Sequence, residues 1–86
     1  MQISVELTLT PLKIDFEPPI KAFIKHLRES DFTVLENPLS TQIYGEFNAL
    51  MNFLTPAIES VFNQEDAVVL QMKLIKGDRS SYVPSF

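Results

Sequence analysis

The 86-residue chain is long enough for one domain with one small core. A hydrophobic fraction of 45% with 21% charged residues is globular composition, not disorder. Seven Lys/Arg against eleven Asp/Glu give a net charge of −4, which disfavours nucleic acid unless a basic stripe exists. Lys21, Lys25 and Arg28 are the nearest candidates, and they are spaced like the solvated face of a helix. The chain has no cysteine, which removes disulfides, thiolate metal sites and CxxC redox chemistry and fits a reducing compartment. Its first residues carry no basic region and meet an acid at Glu6, unlike a signal peptide. No apolar run approaches the roughly 20 residues of a membrane span. The expectation is a cytoplasmic protein with neither membrane nor nucleic acid as partner. Seven Phe supply more apolar area than one small core needs, so self-association is expected too.

Met1 to Thr10 alternates strictly, with Ile3, Val5, Leu7 and Leu9 on one side and Ser4, Glu6 and Thr8 on the other. A period of two marks a half-buried strand, and Pro11 is expected to end it. Pro18 and Pro19 suit the first turn of a helix, where backbone N–H groups lack partners. Ile20, Phe23, Ile24 and Leu27 then form one apolar stripe, and Ser30-Asp31 closes the helix. Phe32 to Glu36 and Ser40 to Tyr44 read as strands joined around Asn37-Pro38-Leu39, with Gly45 expected to break the second. Leu50, Phe53, Leu54, Ala57, Ile58 and Val61 mark a second helix, with Glu46 near its start and a kink expected at Pro56. Ala67 to Lys76 is the last strand, with Val68, Leu70, Met72 and Leu74 opposite Val69, Gln71, Lys73 and Ile75.

The order β-α-β-β-α-β defines an α+β, ferredoxin-like sandwich: a four-stranded antiparallel sheet with two helices on one face. Residues 1–78 form the domain and 79–86 a C-terminal tail. The catalytic inventory is thin. His26 is the sole histidine and sits beside Leu27 in a helix, a position more often structural than functional. No Ser-His-Asp set or metal-ligand spacing stands out, so no enzyme and no metal is expected. Glu6 is the exception among the carboxylates, because it falls mid-strand on the sheet face away from the helices. Either that face is open to water, or another subunit partly covers it and Glu6 meets a cation or an amino-pyrimidine-like donor pair. This fold hosts several functions. An acylphosphatase-type site is excluded because Leu12 to Glu17 has neither the arginine nor the glycine of an anion loop. An RNA-recognition surface is excluded because the first strand has no aromatic residue.

Val5-Glu6-Leu7-Thr8-Leu9-Thr10-Pro11-Leu12 resembles the opening strand of the thiamine-binding protein family, the YkoF-like group. Glu36-Asn37-Pro38-Leu39-Ser40-Thr41-Gln42-Ile43-Tyr44-Gly45-Glu46 resembles that family's hairpin. The similarity covers about residues 3 to 76 and is more specific in the hairpin. It implies a ferredoxin-like domain that assembles by sheet contacts into homodimers or homotetramers. It also implies binding of thiamine or its hydroxymethylpyrimidine part without chemistry. The matching positions able to serve such a ligand are Glu6, Asn37, Ser40, Thr41, Tyr44 and Phe47. Ser40 and Thr41 are expected to bond the pyrimidine, with Glu6 as acceptor. Each also has a structural reading: Thr41 as a strand residue, Asn37 as a turn residue, Phe47 as core. The segment Lys76-Gly77-Asp78-Arg79 departs from the family's charged ending and gives way to Ser80 through Phe86. An ACT-like regulatory domain, or a purely structural oligomerisation module, is the alternative.

Overall fold

The computed structural model describes residues 1–86. In chain order it contains β1 (Gln2–Pro11), α1 (Glu17–Arg28), β2 (Thr33–Glu36), β3 (Thr41–Glu46), α2 (Phe47–Gln64) and β4 (Val68–Lys76). The strands make one antiparallel sheet in the order β2-β3-β1-β4. This is the expected ferredoxin-like α+β fold.

The strict alternation of β1 decides the layering. Ile3, Val5, Leu7 and Leu9 all enter the core, where they meet Phe23 and Leu27 of α1, Ile43 of β3, and Leu50, Leu54 and Ala57 of α2. Both helices therefore cover the same sheet face, and the apolar stripes read from sequence are the faces they bury. Leu27, Ile43, Leu50 and Leu54 are fully buried. Each such side chain contributes about 1.5–3 kcal/mol by leaving water.

Helix boundaries follow local chemistry. Pro18 and Pro19 occupy the first turn of α1, and the Ser30 hydroxyl closes its other end by donating to the Leu27 carbonyl at 2.6 Å. Arg28 then pairs with Glu36 through two guanidinium bonds of 2.5 and 2.6 Å, tying the end of α1 to β2. The Glu46 carboxylate caps α2 by accepting from the Ala49 N–H at 2.8 Å. The chain remains helical through Pro56, which lines the outer groove between the helices, away from the buried row.

Two boundaries differ from expectation. Pro11 does not lie beyond the first strand but is its last residue, paired with Val68. Pairing of β1 with β3 runs only from Gln2 to Leu7, so at Pro11 only β4 lies alongside and a missing N–H is tolerated as on an edge. Gly45 does not break the strand; it continues β3 and pairs with Ile3. Its small size serves packing instead. A Cβ at that position would stand 2.5 Å from Cδ1 of Phe32, so the bare backbone leaves room for the Phe32 ring.

Candidate functional site

The sheet face away from the helices is uncovered, and strand register arranges it in rows. One row reads Leu35, Gln42, Glu6 and Lys73 across β2, β3, β1 and β4; the next reads Thr33, Tyr44, Ser4 and Ile75. Between them lies a shallow cleft of about 130 Å³, lined by Ser4, Glu6, Gln42, Tyr44, Lys73 and Arg79 among others.

Glu6 is the centre of the polar network. The Ser40 hydroxyl donates to Glu6 Oε2 at 2.9 Å and accepts from Gln42 Nε2 at 2.7 Å. Lys73 Nζ stands 3.7 Å from Glu6 Oε1, a loose ion pair with both partners solvated. Exposed pairs of this kind contribute little to stability. One carboxylate oxygen is thus oriented by a relay of side chains, while the other faces Lys73 in a loose pair that a donor in the cleft could share. Tyr44 forms a wall. Burial first, and then the negative charges of Asp78 and Glu6, hold its phenol above the ordinary tyrosine value and keep it a neutral donor.

The rim is fixed from the C-terminal side. The Ser4 hydroxyl, only 5% exposed as part of its residue, donates to the Gly77 carbonyl at 2.8 Å and accepts from the Arg79 N–H at 2.9 Å. Gly77 adopts φ +100°, a left-handed conformation that favours glycine, and its N–H reaches the Gln2 carbonyl at 2.8 Å. Asp78 lies in the same turn, and bonds from Ser80 hold its carboxyl below the ordinary aspartate value.

The six residues singled out from sequence do not share one surface. Glu6, Ser40 and Tyr44 come together on the open face. Thr41 is 6% exposed and faces the helix layer, because consecutive strand residues point to opposite sides. The sheet therefore separates Thr41 from Glu6. Asn37 builds the hairpin turn: its Oδ1 accepts from the Leu39 and Ser40 N–H groups at 2.8 and 3.0 Å. Asn37, Ser40 and Thr41 line a second hollow of about 210 Å³ beside α1. Phe47 begins α2 and lines neither hollow. Gln42, Ser4 and Arg79 were missed as cleft residues. Gln42 was findable, since it shares the open-face parity of Tyr44 within β3.

A larger groove of about 620 Å³ runs between the outer sides of α1 and α2, where His26 stacks on Phe53 at 5.1 Å. His26, Asn52, Ser60, Gln64 and Glu65 are its polar lining, and Glu65 is paired with Lys13 at 2.8 Å. No three His, Asp or Glu side chains come together to hold a metal ion. No helix is long and apolar enough to cross a membrane.

A two-layer domain with one uncovered sheet face and a carboxylate-centred cleft on it belongs to the ferredoxin-like α+β class. Among solved structures, the chain is similar to protein SP2199 from Streptococcus pneumoniae, with 31% identity over 94% of this chain and 92% of that one and a TM-score of 0.82. At that likeness the chain belongs to the same family as the pneumococcal protein. It also shares its fold with TM0486 from Thermotoga maritima, provisionally described as a thiamine biosynthesis/salvage protein (18% identity, 86% and 82% of the two chains, TM-score 0.77). MJ1052 from Methanocaldococcus jannascii, a hypothetical protein, is similar at 22% identity over 90% and 81% of the chains with a TM-score of 0.74. No family model and no curated protein matches the chain.

Proposed function

We propose that the chain is a non-catalytic, cytoplasmic small-molecule-binding domain. Its ligand is thiamine or the hydroxymethylpyrimidine part of thiamine, bound on the open sheet face. The carrying observation is the Glu6 carboxylate, oriented by Ser40 and Gln42 and with its second oxygen held only loosely by Lys73, beside the Tyr44 wall. An aminopyrimidine edge presents the N–H donors such an oxygen accepts, and a carboxylate holds them by charge-assisted bonds. The resemblance of the first strand and the hairpin to thiamine-binding proteins supports the same reading. So does the fold shared with TM0486, whose description places it in thiamine biosynthesis or salvage.

The cleft is shallow as a single chain, so closure needs a cover. Leu35, Val69 and Ile75 stand 42%, 45% and 42% exposed on the same sheet face. A second copy packed sheet to sheet would bury them and deepen the site, giving a homodimer or homotetramer. That same apolar rim is what an ACT-like or purely structural oligomerisation module would use, and ligand binding separates the two readings. Calorimetric titration with hydroxymethylpyrimidine and thiamine should give saturable heat. In this arrangement Ser40 positions Glu6 instead of facing the ligand, so Glu6→Gln should weaken binding more than Ser40→Ala. The absence of heat at millimolar ligand from a chain that still self-associates would leave the structural module standing in its place.

A further inference from the structure

The proposed ligand reading leaves one part of the cleft without a role, namely the end built around Ser4 and Arg79. This end is constructed with unusual care for a chain terminus. The buried Ser4 hydroxyl clasps both the Gly77 carbonyl and the Arg79 N–H, and Gly77 is itself bonded to Gln2. Those bonds fix the backbone of Arg79 against the sheet, and Arg79 is one of the residues that line the cleft. No carboxylate lies within ion-pair distance of its guanidinium; the ion pairs of the chain involve Lys13, Lys21, Arg28 and Lys73. The adjacent acid, Asp78, is engaged by Ser80 in its own turn and does not line the cleft. Lys73 lines the cleft as well and is only loosely held by Glu6.

The cleft is therefore bipolar. Glu6 offers an acceptor at one end, and an unpaired guanidinium stands at the other. Ser4 and Glu6 are two residues apart on one face of β1, so their Cα atoms are about 7 Å apart along the strand. Tyr44 and Ile75 line the cleft beside Ser4. We propose that the Ser4–Arg79 end is an anion subsite, and that the ligand of the cleft is a pyrimidine bearing a phosphate monoester. This rests on the pyrimidine reading above and chooses within it. Thiamine would bring its cationic thiazolium toward Arg79, a like-charge contact. A phosphate on the hydroxymethyl group meets the Arg79 guanidinium favourably, with its planar fork matched to two phosphate oxygens.

The test is calorimetry on the full chain with three titrants: hydroxymethylpyrimidine, its phosphate ester, and thiamine. The phosphate ester should bind at least about tenfold tighter than the free alcohol, in keeping with a charge-assisted pair. That advantage should shrink as salt rises, because the subsite is open to solvent. In Arg79→Gln the ratio of the two affinities should fall to near one. Equal affinities in the unmodified chain would overturn the inference, as would an advantage that survives in Arg79→Gln or thiamine binding tighter than the phosphate ester. Heat with hydroxymethylpyrimidine but no phosphate advantage overturns the subsite alone and leaves the pyrimidine reading in place. No heat with any of the three removes both.

Discussion

Replacing Gly45 by alanine sets two effects of opposite sign against each other. Glycine inside a strand sacrifices backbone entropy on folding, and Gly→Ala at an unstrained position usually stabilises by about 0.4–1 kcal/mol. Gly45 has no positive φ, so nothing in its backbone forbids alanine. The added methyl, however, would stand 2.5 Å from Cδ1 and 2.8 Å from Cε1 of Phe32, about 1 Å inside normal contact. The Phe32 ring has little room to retreat, because it is tilted against Phe53 with centroids 5.5 Å apart. Cβ of Leu50, 3.7 Å from the new methyl, limits movement on the other side. Overpacking of this kind destabilises by about 1–3 kcal/mol, so the steric effect wins by roughly 1–2 kcal/mol. For a domain of this size that lowers Tm by roughly 4–16 °C. Thermal and urea unfolding followed by circular dichroism should show the loss, and the same substitution in a Phe32→Leu background should be nearly neutral. A Gly45→Ala chain that melts at or above the parent temperature would refute the packing argument.

Arg28→Gln should lower Tm at neutral pH by removing the fork that ties α1 to β2. The hydrogen bond from Arg28 holds the folded Glu36 carboxyl below its ordinary value of 4.5, so its contribution is present above that pH and is lost as pH falls through the depressed value. The difference between variant and parent melting curves should therefore disappear in acid, and a difference that persists at pH 2 would contradict the assignment. Ile75→Glu should leave the fold within about 0.5 kcal/mol of the parent, since Ile75 lies on the open face. It should also convert the assembly to monomers by light scattering; a parent chain that is already monomeric would remove the sheet-to-sheet reading.

The fold was legible because its signals were long and mutually consistent. Ten residues of unbroken alternation fixed the faces of β1, and two helical stripes fixed what lay against one of them. Gly45 misled because glycine punctuates strands in isolation, whereas here the demand for its small size comes from Phe32, thirteen positions earlier and adjacent only in space. The candidate site was legible in part for the same reason. Glu6 stood out by its own strand's parity, and Ser40 reaches it from the head of β3, the strand beside β1. Thr41 parts from Ser40 because the period of two turns neighbours to opposite faces, a rule available in the sequence. Arg79 was not legible as a cleft residue: its position depends on the pairing register of β1 with β4 and on the clasp at Ser4, and neither is encoded in local pattern.

The central claim is that the Glu6 cleft binds a pyrimidine. Calorimetric titration of the parent chain and of Glu6→Gln with hydroxymethylpyrimidine tests it most directly. The parent should show saturable binding, and the variant should lose about 1.5–3 kcal/mol of affinity, the contribution of a charge-assisted hydrogen bond. Binding of equal strength in both chains would place the ligand elsewhere, and the absence of heat in the parent would contradict the account.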